Sequence, residues 1–141
     1  MISLELLIGV LNIVLIATTP LIFAGIGELV TEKSGVLNLG VEGMMLVGAV
    51  TAFVTLVITG SYFLAFLFSI LSGIVMSGLF AILVLFLMSN QIATGLALTI
   101  FGIGLSSMLG KEYIGTPIQG LSPWIFVILS FILVLFTSYF F

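Results

Sequence analysis

GMMLVGAVTAFVTLVITGSYFLAFLFSILSGIVMSGLFAILVLFLMSNQIATGLALTIFGIGLSSMLG, residues 43–110, runs for 68 residues without one formal charge. A membrane-spanning helix needs about 20 consecutive apolar residues, so this run alone holds about three of them. Its polar interruptions mark the ends. Gly60-Ser61 reads as a tight turn and Ser89-Asn90-Gln91 as a short polar one. Spans are therefore expected from Glu42-Gly43 to Thr59, from Tyr62 to Met88 and from Ile92 to Leu109. The second of these exceeds the bilayer core and should tilt or protrude.

The same reading extends to both sides. Leu6 to Gly27 carries no charge and gives a first span, with Pro20 expected to kink or loosen it near Ala17–Thr19. GKEYIGTPIQGLS, residues 110–122, is the one real loop, and a fifth span starts at Pro123 or Trp124. Trp124 and Tyr139 fall near its two ends, as interfacial aromatics do. Ala65, Ser69, Gly73, Ser77 and Ala81 recur every fourth residue, as do Gly102, Ser106 and Gly110. Such ridges of small residues let helices pack closely. The expected fold is all-α: one polytopic transmembrane helix bundle of about five spans over residues 1–141.

Composition agrees and excludes much else. The chain is 62% hydrophobic and 5% charged, with a mean hydropathy of +1.57, where a soluble domain is about a quarter charged. It contains no Cys, His, Asp or Arg. Disulfides, thiolate or imidazole metal sites and His-based nucleophilic catalysis are therefore excluded, and no enzyme, metal or cofactor is expected. Two lysines cannot make a nucleic-acid footprint. MISLELLIGV at the start lacks the positive region of a signal peptide, so the first apolar run reads as a retained helix. Lys33 follows the first span and Lys111 the fourth, so the positive-inside rule has one lysine for each side.

Four of the seven charged residues, Glu28, Glu32, Lys33 and Glu42, crowd into GIGELVTEKSGVLNLGVEGMMLVGA (25–49), together with five glycines between Gly25 and Gly43. Lys33 with Gly35 just beyond reads as a helix end. Residues 36–42, VLNLGVE, are too short to span and too apolar for an ordinary loop. A new helix is expected at Glu42-Gly43, where a carboxylate suits the positive end of the dipole. This predicts a broken-helix segment near residues 35–43. Two readings of it stand. Glu28, Asn38 and Glu42 line a path at membrane depth, where irregular backbone must be buried in protein or face water; or the segment is a wet, structural hairpin. Asn90 and Gln91 likewise either line that path or cap a turn. Lys111 and Glu112 read as a solvated pair, and Tyr113 as an interface anchor.

Residues 20–49, PLIFAGIGELVTEKSGVLNLGVEGMMLVGA, and 90–115, NQIATGLALTIFGIGLSSMLGKEYIG, closely resemble conserved blocks of the sugar/nucleoside-type ABC importer permeases, relatives of ribose and simple-sugar permeases. The blocks cover much of residues 15–117. Glu28, Glu32, Asn38, Glu42, Asn90 and Gln91 stand at positions that match the family's motifs. The resemblance implies a membrane permease component that binds no ATP itself. It implies partners: an ABC ATPase subunit, a second permease subunit and an extracytoplasmic binding protein. It implies a path for nucleosides or simple sugars bordered by residues 35–43, and multi-pass insertion in the bacterial cytoplasmic membrane. It also implies an orientation, with the N-terminus and Lys111 outside and Lys33 and Asn90 inside. Members of the family continue past the helix matching residues 123–141 with a basic coupling segment and a second set of helices. The chain is thus expected to correspond to the N-terminal half of a permease, truncated or split. Two other classes compete: a small self-contained proton-coupled exporter, which would need a lone mid-span Glu, and a non-transporting assembly subunit.

Overall fold

The computed structural model describes residues 4–140. They form five α-helices: α1 (Leu4–Lys33), α2 (Val41–Thr59), α3 (Tyr62–Ala81), α4 (Gln91–Gly110) and α5 (Pro123–Phe140). A π-helical turn, Ile82–Phe86, prolongs α3, and a 3-10 turn, Lys111–Tyr113, prolongs α4. With these extensions all five are long and apolar enough to cross a membrane, and the described residues contain no strand. The five-span, all-α expectation holds.

Three details sharpen the sequence reading. First, α1 runs on past the uncharged stretch to the helix end read at Lys33, carrying Glu28, Glu32 and Lys33 in its last turns. Its 30 residues make a rod of about 45 Å, well beyond a hydrocarbon core of roughly 30 Å, so a charged end can project from the core. The helix passes Pro20 uninterrupted. Just before it, the Thr18 and Thr19 hydroxyls donate to the carbonyls of Val14 and Leu15, each at 2.9 Å. Second, the break between helices covers 34–40 and not 35–43. The Gly40 carbonyl already accepts from the Met44 amide at 3.1 Å, so Val41–Gly43 belong to α2. Third, the helix expected to reach Met88 turns π-helical at Ile82.

The chain forms two compact units. The first takes residues 1–33 and 119–141, where α1 packs on α5. Its buried positions are Thr19, Val127 and Ser130, and the Ser130 hydroxyl is satisfied by the Val127 carbonyl at 2.8 Å. Small side chains with internally bonded hydroxyls suit a helix contact in lipid.

The second unit takes residues 34–118, where α2 packs on both α3 and α4. Val47, Met76, Phe80, Val84 and Leu98 form its core, with Val36, Met44 and Leu105 against it. Gly60 (φ 66°) turns the chain from α2 to α3, and its amide bonds the Leu56 carbonyl at 2.8 Å. Large apolar side chains such as Phe63 and Phe86 point outward from the unit. With lipid as the solvent that is the expected polarity, and only close packing and hydrogen bonds hold the helices together.

Candidate functional site

The segment 34–40 is where the second unit departs most from regular structure. Gly35 takes a left-handed φ of +80°, which ends α1. The next residues have no helix to satisfy their backbone, and α4 supplies the missing partners. The Leu37 amide donates to Gln91 Oε1 at 2.8 Å. The Leu39 carbonyl accepts from Thr99 Oγ1 at 2.9 Å. Between them Asn38 turns inward and is buried. Its Oδ1 accepts from the Gly40 amide at 2.9 Å, and its Nδ2 lies 3.6 Å from Met44 Sδ. Non-helical backbone needs protein or water to answer its polar groups, and here side chains two turns apart on α4 do so.

Glycine makes that approach possible. A Cβ on Gly95 would lie 2.8 Å from the Leu39 nitrogen. One on Gly43 would lie 2.6 Å from the Leu98 carbonyl oxygen, and one on Gly102 2.5 Å from the Gly43 Cα. Real side chains do not tolerate such distances, so backbone rests on backbone along this line. Gln91, Gly95, Leu98, Thr99 and Gly102 fall at helical spacing on one face of α4. All but Gln91 and Thr99, which are half-buried, are buried there.

The sequence-predicted residues fall into separate settings. Asn38 and Gln91 both serve the segment, Gln91 accepting from the Leu37 amide and Asn38 from the Gly40 amide. Glu42 stands in the first turn of α2 and is exposed within the chain. Asn90 caps α4, accepting from the Ala93 amide at 3.0 Å. Glu28 belongs to the other unit, where the Thr31 hydroxyl lies 3.3 Å from its Oε2. Of the expected packing residues, Gly102 meets Gly43, and Ser69 donates to the Gly48 carbonyl at 3.0 Å. Gly73 would have no atom of the described residues within 4 Å of a Cβ, and Ser77 and Ser106 bond within their own helices.

Four residues of the site are not apparent from sequence reading. Thr99 and Gly95 lie on the Gln91 face, and the spacing 91, 95, 99, 102 was the available signal. Ser89 and Thr94 bond each other at 2.8 Å, and Ser89 Oγ also donates to the Leu83 carbonyl at 2.7 Å. These bonds depend on the π-turn, for which the run ILVLF carries no sequence signal. An open groove of about 500 Å³ lies beside this junction, walled by Leu79, Leu83, Ala97 and Phe101.

Residues 10–141 match the family described as branched-chain amino acid transport system / permease component. The chain is 44% identical over 122 residues to TsgC13 of Haloferax volcanii, provisionally named a glucose ABC transporter permease protein; the match covers 86% of this chain and 37% of that protein. It is 35% identical over 101 residues to the nucleoside ABC transporter permease protein NupC of Lactococcus lactis, covering 67% of this chain and 32% of NupC. It is 27% identical over 119 residues to the guanosine ABC transporter permease protein NupQ of Bacillus subtilis, covering 77% and 37%. The matches therefore span about a third of the length of these relatives. No solved structure matches the chain significantly.

Proposed function

From the premise that the chain belongs to the branched-chain amino acid transport system / permease component family, we propose that it builds part of the translocation path of an ABC importer for nucleosides or simple sugars. It is a multi-pass protein of the cell membrane, with five helices able to span it. The observation that carries the reading is the helix break at 34–40, fastened to α4 by Gln91 and Thr99. Broken helices are how many transporters present polar groups to a solute.

Glu28, Asn38, Glu42, Asn90 and Gln91 are the path residues of this proposal, with distinct parts. Asn38, Gln91 and Asn90 hold backbone. Glu42, exposed at the start of α2, is the acceptor best placed for a sugar hydroxyl, a group common to glucose and to the ribose of a nucleoside. Relatives named for a nucleoside, for guanosine and for glucose support that substrate class. The partners proposed are an ABC ATPase subunit, a second permease subunit and an extracytoplasmic binding protein, with residues 1–141 acting as one transmembrane domain among them.

The test is reconstitution in proteoliposomes with the ATPase and binding protein of a relative, with and without a polypeptide carrying the two-thirds of that relative outside the match. ATP-dependent uptake of guanosine or glucose is expected only when every component is present. Glu42→Gln should cut it by about tenfold, the scale of a lost hydrogen bond to a charged group. Uptake that proceeds equally without this chain, or with Glu42→Gln, would refute the proposal.

A further inference from the structure

We propose that Gln91 and Thr99 are positioning residues that fasten the broken segment to α4, so that the segment and the start of α2 move with α4 as one rigid body. The two side chains stand eight residues apart, a rise of about 12 Å along the helix. They grip the segment on either side of Asn38: Gln91 accepts from the Leu37 amide, and Thr99 donates to the Leu39 carbonyl. One bond of each polarity fixes both the place and the direction of the strip between them.

Three further contacts remove the remaining freedom. Gly95 brings the Leu39 and Gly40 backbone down onto α4, while Gly43 rests on Leu98 and Thr99 and meets Gly102. Backbone against backbone has no rotamer through which to slide. Asn38 closes the strip on itself through the Gly40 amide. Glu42 follows two residues later, so its backbone is placed by the same fastening.

The front of α4 is tied in its turn. Ser89 bonds both Thr94 and the Leu83 carbonyl, and Asn90 caps the helix. Every polar side chain from Ser89 to Thr94 is thus engaged in holding chain, and a displacement of the 87–90 connection is carried through Gln91 to Leu37. The inference concerns the site of the proposed transport path and rests on that reading only for its consequence for substrate.

The test places a nitroxide label on Leu39→Cys, a half-exposed position in a chain with no other cysteine, and compares its mobility in lipid nanodiscs. Gln91→Leu and Thr99→Val should each raise the mobile fraction, by about two- to tenfold. Gln91→Glu, which keeps the acceptor, and Thr99→Ser, which keeps the hydroxyl, should restore the parent spectrum. Unchanged mobility in Thr99→Val and Gln91→Leu, or equal loosening in the conservative pair, would overturn the fastening. In the full uptake assay without the label, Thr99→Val should raise KM severalfold while leaving the maximal rate near the parent's, and Thr99→Ser should recover the parent KM. A KM unmoved by Thr99→Val would overturn the positioning role. If the parent components show no uptake at all, the proposed function fails and the label spectra alone decide the fastening.

Discussion

Gly102 and Gly104 stand two residues apart on one helix in opposite surroundings. A Cβ on Gly102 would collide with the Gly43 backbone, while one on Gly104 would meet nothing within 4 Å. Gly102→Ala should therefore cost about 1–3 kcal/mol of stability, as overpacking does. Gly104→Ala should be neutral or mildly stabilising, since alanine is the better helix former by up to about 1 kcal/mol. Unfolding in mixed detergent, followed by circular dichroism, checks the pair; equal losses would show that the α2–α4 contact is not as close as described. Sequence reading could mark Gly102 as a packing residue by its four-residue spacing to Ser106 and Gly110. It could not separate Gly102 from Gly73, which has an equally regular ridge and no neighbour among the described residues. Spacing tells which side chains are small, not which helix lies opposite.

At the scale of elements, the end of α3 is the least regular piece of helix in the second unit. The Leu87 amide reaches back five residues to the Ile82 carbonyl at 3.1 Å, and Met88 then adopts φ 54°. A left-handed conformation costs a non-glycine residue roughly 1 kcal/mol, and the bonds of Ser89 to Leu83 hold the chain there. Met88→Gly should raise stability by about 0.5 kcal/mol, the relief of strain being partly offset by entropy of the unfolded chain. Met88→Val should lower it by about 1–2 kcal/mol, because a β-branched side chain fits that region worst. The same unfolding measurement decides, and the reverse order would contradict the backbone geometry. None of this was legible in ILVLFLM. A π-turn differs from an α-turn by one residue of register, and apolar residues satisfy either. What was legible was the turn chemistry around it: Asn90 as a cap, Gly35 and Gly60 as left-handed stops.

For the molecule as a whole, the number of spans and the break after α1 follow from charge and hydropathy, because lipid allows a backbone few options. Orientation does not follow, since Lys33 and Lys111 oppose each other. The α3 element, 25 residues with its π-turn, is about 37 Å long and crosses the core once. Cysteines at Ser61 and Leu87, introduced singly, should therefore react with an impermeant maleimide from opposite sides of intact vesicles, Ser61 from outside. Labelling of both from the same side would exclude α3 as a span. The docking of 34–40 on α4 was not legible either, because it joins residues about sixty positions apart through contacts that leave no hydrophobic period. Its consequence reaches the gene. Every first- or second-base change in a glycine codon, unless it creates a stop, brings in a side chain. At Gly43, Gly95 and Gly102 even the smallest one strikes backbone. These codons are thus expected to tolerate third-base changes alone, and a saturation library selected for accumulation in the membrane should return synonymous glycine codons there while the neighbouring lipid-facing leucines drift freely.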